Sequence, residues 1–305
     1  MGGVYIMYEE LYELYKRNLP FVVRDRETVL RILMNEGNTV IEHRNEHNKL
    51  AGVSVVNQNT ILLLCVDAPY QRQGIGTKLL KESEEIVRCG GYDKVVAGNG
   101  FDYIMPGVPT SKRYFPAENE ELYPGLDESA SDFFTKRGYT HAWGCNCFDM
   151  RFPLERFDQG GFRPGDTIEG VTYRWAVPAD LPGICACTDD AFPEFTGFYW
   201  DENLYTQSGS ARVLLAILDG EVAGTLIVET GDGGQPGSIG CLAVKQAYRG
   251  KHIAVNLVMV GTKHLKDTGL KDAYLSYTYS GLDHLYGYVG YRICAYFMMA
   301  EKALL

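Results

Sequence analysis

From Val66 to Gly76 the chain reads Val-Asp-Ala-Pro-Tyr-Gln-Arg-Gln-Gly-Ile-Gly, a β-rich run that ends, turns through glycine and opens a helical pattern. A turn of this kind aims unpaired backbone N–H groups and the helix dipole at one point, which favours a phosphate. Gly74 and Gly76 let the backbone approach an anion closely, and no carboxylate stands between Gln71 and Lys78 to oppose it. Spacing excludes the two common nucleotide loops. A Walker loop needs Gly-Lys-Ser/Thr after four intervening residues, whereas Gly76 is followed by Thr77 and Lys78; a dinucleotide loop needs a third glycine or alanine where Leu79 stands. The candidate anion-binding residues are Val66 at the strand end and Gln71, Arg72, Gln73, Gly74, Ile75, Gly76 and Thr77.

The pattern recurs at a constant offset of 178: Val244, Tyr248, Arg249, Gly250, Lys251, His252, Ile253 and Ala254 repeat the register of Val66 to Gly76. His252 takes the place of the first glycine, where any side chain is expected to narrow access to the backbone. Upstream, Leu50-Ala51-Gly52-Val53 echoes Val222-Ala223-Gly224-Thr225, each after a polar turn, and both read as hairpins. Downstream, Phe133-Phe134 to Gly138-Tyr139 matches Leu285-Tyr286 to Gly290-Tyr291, a short helix stopped by glycine before a strand.

The strand, the Gln71-x-x-Gly74-x-Gly76 loop and its helix, followed by Leu285-Tyr286-x-x-x-Gly290-Tyr291, in that order in both halves, resemble the GCN5-related N-acetyltransferase (GNAT) family. The resemblance implies an α/β (α+β) fold of two tandem domains, each a mixed, mostly antiparallel sheet flanked by helices. It implies that the loop residues of both halves hold the pyrophosphate of acetyl-CoA. It also implies an N-acetyltransferase, an acyltransferase of groups other than aminoacyl groups, that moves acetyl from acetyl-CoA directly to an amine without a covalent acyl-enzyme. In the family the tyrosine four residues before the final helix's glycine usually protonates the departing thiolate; here that is Tyr286, while Phe134 holds the equivalent place in the first half and has no proton to give. The expectation is therefore chemistry in the second half, with the first half binding coenzyme A or serving as scaffold. Tyr279 stands where the family often carries asparagine. A non-catalytic acyl-CoA-binding regulatory or scaffold protein is the competing reading.

An alkylammonium with a pKa of about 10 must lose a proton before it attacks, so a carboxylate or a water chain is needed, and a strand amide near Val66 or Val244 can polarise the thioester carbonyl. Asp189, Asp190, Glu194 and Asp201 are candidates, in a segment rich in Phe192, Phe195, Phe198, Tyr199 and Trp200; His284, beside Tyr286, is another. The resemblance implies a small-molecule or peptide amine as the acceptor.

The elements that must position these groups repeat in each half: helix, two antiparallel strands, a third strand ending at Val66 or Val244, the loop, a helix, a strand, a short helix and a closing strand. Helices are expected near 75–87 and 253–266, with strands at 94–97 and 273–277 after them. The first domain is assigned to 1–153, a linker to 154–167, where Gly160-Gly161 and Pro164-Gly165 break the pattern, and the second domain to 168–305. Gly76 to Tyr139 spans 63 residues against 37 from Ala254 to Tyr291, and the excess falls near 99–127. Its prolines and tyrosines read as an ordered excursion that either walls a substrate pocket or covers a sheet edge.

At 305 residues, 46% of them hydrophobic and 22% charged, the chain is long enough for two folded cores. A formal charge of −10 repels phosphate backbones and anionic headgroups, so neither nucleic acid nor a membrane is expected as a partner. No apolar run reaches a membrane span and no basic region followed by an apolar core opens the sequence, so a cytoplasmic location is expected. The eight cysteines form no metal-like set: Cys145/Cys147 and Cys185/Cys187 are C-x-C pairs, read as strand residues with both thiols in the core, and no metal is expected.

Overall fold

The computed structural model describes residues 2–98, 104–114, 119–142, 147–157, 170–231, 236–279 and 281–304, with side chains described from Tyr8 onward. The elements run α1 (Gly2–Asn18), α2 (Arg26–Leu33), β1 (Asn38–Arg44), β2 (Leu50–Asn57), β3 (Thr60–Val66), α3 (Ile75–Cys89), β4 (Lys94–Ala97), β5 (Val108–Thr110), α4 (Ser129–Thr135), β6 (Thr140–His141) and β7 (Cys147–Pro153). They continue with β8 (Thr172–Trp175), α5 (Leu181–Ala191), β9 (Ala211–Leu218), β10 (Glu221–Glu229), β11 (Gly237–Val244), α6 (Ile253–Asp267), β12 (Asp272–Tyr279), α7 (Asp283–Val289), β13 (Arg292–Met298) and β14 (Ala300–Ala303).

The chain divides into two compact units, one of Met1–Pro116, Leu122–Phe148 and Cys294–Leu305, the other of Ala117–Glu121 and Asp149–Ile293. In the first unit the strand order is β1-β2-β3-β4-β14-β6, parallel only between β3 and β4. In the second, β8, β9, β10 and β11 are antiparallel neighbours and β12 joins β11 in parallel. Both are the expected mixed, mostly antiparallel sheets with helices against them.

The helices after the two loops bury one face at helical spacing: Ile75, Leu79, Leu80 and Val87 on α3, and Ile253, Leu257 and Leu265 on α6. The Ala-Gly pairs of the sequence echo explain how closely these helices sit on their sheets. A Cβ at Gly52 would stand 3.2 Å from Ile75 and Leu79, and one at Gly224 would stand 3.0 Å from Leu257 and 3.1 Å from Ile253. Each glycine thus seats the first turn of the helix that carries the loop.

The end of the chain departs from the expected boundary. Cys294–Leu305 fall in the first unit rather than in a second domain of 168–305, and Asp149–Pro153 fall in the second unit rather than in a first domain of 1–153. The reason is the shortness of β4 and β6, four and two residues, which leaves edges that need a partner. Strand β14 lies between them, pairing Ala300 with Ala97 and with His141. Lys302 then holds Glu84 of α3 with Nζ 2.9 and 3.0 Å from its two carboxylate oxygens.

The expected linker 154–167 lies mostly outside the described residues, as do 99–103 and 115–118 of the expected excursion. The described part of the excursion is ordered: Ile104, Met105 and Val108 are buried, and β5 pairs with Tyr296 to Met298 of β13. Cys145 is outside the described residues, and Cys147 is buried in β7. Cys185 and Cys187 correct the strand reading, because they lie on α5, where a two-residue step turns the side chains apart; Cys187 is buried and Cys185 half-buried. Among the described residues no group of His, Cys, Asp or Glu is arranged to hold a metal, and no helix is long and apolar enough to cross a membrane.

Candidate active site

The two loops share one backbone path. In the first, β3 ends at Val66, a 3-10 turn covers Ala68–Tyr70, and Gly74 caps α3 with φ +85; in the second, β11 ends at Val244, the turn is Gln246–Tyr248, and His252 caps α6 with φ +57. Two residues earlier, Arg72 and Gly250 are also left-handed, with φ +62 and +76. Each loop is latched from the same position: Gln71 Nε2 donates to the Val66 carbonyl at 3.0 Å, and Arg249 Nε to the Val244 carbonyl at 3.4 Å. His252 thus keeps the left-handed cap that Gly74 forms, at a strain of about 1–2 kcal/mol.

Both turns leave the first N–H groups of the following helix without intrahelical partners. A Cβ added at Gly74 would meet nothing within 4 Å and one at Gly76 would lie 3.5 Å from Phe133, while His252 and Ala254 hold the matching positions of the second loop. A pyrophosphate fits such a turn, with Ile75, Gly76 and Thr77 in one unit and Ile253, Ala254 and the residue after it in the other offering backbone donors. Arg137 Nη2 donates to Thr77 Oγ1 at 2.7 Å, its guanidinium 3.8 Å from the Phe133 ring centroid, which adds positive charge at the start of α3. Gln73 Nε2 donates back to the Pro69 carbonyl at 3.0 Å, and Lys251 lies 5.3 Å from the Tyr248 ring centroid.

Beside each loop lies a pair of parallel strands that ends its ladder early. Strands β11 and β12 pair only at Gly237↔Ala273 and Ser238↔Tyr274, although β11 runs on to Val244 and β12 to Tyr279. Four residues past the first pair, each strand carries a left-handed residue, Cys241 with φ +49 and Tyr277 with φ +55. Such residues turn the peptide plane and end a ladder, so the strands part and present backbone groups to the gap. Strain of this kind persists only where neighbours over-determine it. Tyr199 donates its hydroxyl to the Cys241 carbonyl at 2.5 Å, and buried Asp149 accepts both the Tyr277 N–H and the Tyr274 hydroxyl at 2.8 Å.

Tyr286, on α7, is 5% exposed. Burial, then the Cys241 thiol, holds its phenol well above the usual tyrosine range, and the same burial pushes the Cys241 thiol up to about 12. The phenol is therefore protonated at every ordinary pH and lies near enough to the Cys241 thiol to feel its charge. In the first unit Phe134 is buried in a cluster with Val56, Ile61, Leu80 and Tyr139. There β3 and β4 likewise pair only at Thr60↔Val96 and Ile61↔Ala97, although β3 runs on to Val66, and a left-handed Gly98 with φ +79 follows β4. Both units thus leave the end of the loop-bearing strand unpaired on this side, and the second adds the phenol of Tyr286 where the first has Phe134.

The candidate bases are mostly occupied. Asp189 accepts the Thr196 hydroxyl at 2.6 Å, Asp190 the Gln246 N–H at 2.6 Å, and Asp201 the Asn203 N–H at 3.0 Å; Glu194 is exposed. His284 is exposed, with Nε2 3.9 Å from Asp283. Asp190 does other work: with Ala191 it ties the end of α5 to the second loop, where Arg249 Nη2 donates to the Ala191 carbonyl at 3.3 Å. Sequence reasoning missed Cys241 and Tyr277, because no residue type marks a left-handed position within a strand, and it missed Asp149 and the inward role of Tyr199, because their partners lie far away in the chain.

The model of the acetyltransferase (GNAT) family matches residues 8–101 and 181–290. No curated protein matches the chain. Among solved structures, the chain is similar to a GCN5-related glucosamine N-acetyltransferase region in a fungal multi-domain GH3 β-N-acetylglucosaminidase. The TM-score is 0.73 at 19% identity over 96% of this chain, which spans 36% of the fungal one. It is also similar to a GCN5-related N-acetyltransferase from Sphaerobacter thermophilus (TM-score 0.68, 18% identity, 96% of this chain and 91% of that one). A tandem GNAT protein from the clavulanic acid biosynthesis pathway aligns with TM-score 0.69 at 14% identity over 97% of this chain and 94% of that one. At these identities the likeness is one of fold.

Proposed function

The chain belongs to the acetyltransferase (GNAT) family, matched in both halves, and from that premise we propose that it moves an acetyl group from acetyl-CoA directly to the amine of a small molecule or peptide, with the chemistry in the second unit. The observation that carries this reading is the parting of β11 and β12 at Cys241 and Tyr277, with the protonated phenol of Tyr286 beside it. Acetyl-CoA supplies an activated carbonyl and a thiolate leaving group. The chain's part is to bind the pyrophosphate at Arg249 to Ala254, to offer strand N–H groups past Ser238 to the carbonyl, and to deliver a proton from the Tyr286 hydroxyl. The amine nitrogen forms the new C–N bond as the C–S bond breaks, and the proton lost by the nitrogen balances the one gained by sulfur. In the first unit, Phe134 in the core supports a binding or scaffold role for the other loop.

Calorimetric titration of acetyl-CoA into the intact chain and into Gly76→Glu and Ala254→Glu tests the assignment. These matched positions place a carboxylate in one loop at a time without the left-handed strain of Gly74. Loss of binding at the competent site in Ala254→Glu, together with loss of acetyl transfer, is the expected result. Transfer that survives Ala254→Glu and fails in Gly76→Glu overturns the placement.

A further inference from the structure

Phe192 is 38% exposed, Phe198 41% and Trp200 66%, three large aromatic side chains left in solvent within nine residues of the second unit. The segment Pro193–Trp200 is a 3-10 helix, in which residues three apart lie one above another. Phe192, Phe195 and Phe198 follow that spacing and form a ladder, with centroids 4.4 Å apart for the first pair and 6.5 Å for the second. Tyr199, one step off the ladder, is turned inward and fully buried, and its hydroxyl holds the Cys241 carbonyl. Phe198 and Trp200 flank it in the chain, so the exposed aromatics stand one residue from the side chain that reaches Cys241. In the first unit the corresponding connection after α1 buries Leu19 and Val22 and shows no such ladder.

Exposed apolar surface gathered beside a reactive position calls for an apolar occupant. The exposed acids of the same stretch, Glu194 and Glu202, and the net charge of −10 favour a cation on approach. Aromatic faces bind both apolar rings and alkylammonium groups. The three phenylalanines of the ladder carry no hydrogen-bonding groups, and Trp200 adds a single indole N–H, few contacts for the several hydroxyls of a sugar. Resting on the acetyl-transfer reading above, we propose that the acceptor is a primary amine carried on an aromatic or apolar body, seated on Phe192, Phe195, Phe198 and Trp200, with its nitrogen directed past Tyr199 to the opening at Cys241. The bond changes are those already given, so no further reactant is needed.

The test is steady-state acetyl transfer by the intact chain from acetyl-CoA to 2-phenylethylamine and tryptamine, compared with glucosamine and glycinamide, repeated in Trp200→Ala and Phe198→Ala. The expected result is kcat/KM at least about tenfold higher for the aromatic amines, and a KM for 2-phenylethylamine raised about tenfold in Trp200→Ala, with the loss in KM rather than kcat. Equal or better use of glucosamine, or an unchanged KM in Trp200→Ala, overturns this inference and leaves the acetyltransferase reading standing. If no amine is acetylated, the proposed function falls instead, and calorimetry of 2-phenylethylamine into the coenzyme A-bound chain decides the seat. Saturable binding lost in Trp200→Ala supports it, and absence of binding overturns it. A dimer that dissociates in Trp200→Ala without any change in KM assigns the ladder to a contact between copies and also overturns it.

Discussion

Gly74 and His252 hold the same left-handed backbone position 178 residues apart, at φ +85 and +57. Only glycine takes that position without cost, so the two loops are one design with different strain. Gly74→Ala is expected to lower stability by about 1 kcal/mol, while His252→Gly raises it by about 0.5 kcal/mol, strain relief being partly offset by glycine's chain entropy. Urea denaturation of both variants checks the opposite signs. A destabilised His252→Gly would mean that the imidazole contributes more than the backbone strain it brings.

The ion pair of Lys302 with Glu84 joins the last strand to α3 within the first unit. Lys302→Met leaves a nearly buried carboxylate without its partner and is expected to cost about 2 kcal/mol, less than a fully buried pair because the lysine is partly exposed. Adding Glu84→Gln to Lys302→Met should recover part of that loss. Deletion of 300–305 removes the strand between β4 and β6 and should expose the first unit to limited proteolysis, with cleavage sites mapped by mass spectrometry.

Tyr286→Phe removes the proposed proton donor with little change in volume. The expected outcome is a fall in kcat of about 10²-fold with acetyl-CoA affinity retained, read by steady-state kinetics and calorimetry. Phe134→Tyr in that background is expected to restore nothing, because position 134 lies in the core of the other unit.

Burial holds Tyr139, Tyr199, Tyr286 and Tyr291 above the ordinary tyrosine range. A group whose folded value is raised contributes stability that is complete below its unfolded value of about 10 and is lost as pH climbs toward the folded one. The fold should therefore hold steady across neutral pH and weaken above about pH 10, and these phenols should ionise only as the chain unfolds. Absorbance at 295 nm followed together with circular dichroism checks this. Phenolate formation at those four positions in a still-folded chain would contradict it.

The sequence by itself determined the duplication, the family, the loops from Val66 to Thr77 and Val244 to Ala254, and the contrast between Tyr286 and Phe134. These are local patterns: a strand, a turn and a helix lie next to one another in the chain, and their spacing alone aligns them. Only the tertiary structure decided where Ala300–Ala303 pairs, because a four-residue strand carries no mark of which edge it will fill. It also decided that β11 and β12 part at Cys241 and Tyr277. That strain is held by Tyr199, 42 residues from Cys241, and by Asp149, 128 residues from Tyr277, contacts that form only once the sheet is assembled. The same assembly turned Tyr199 inward and left Phe198 and Trp200 outside, a difference between neighbours that residue type does not record.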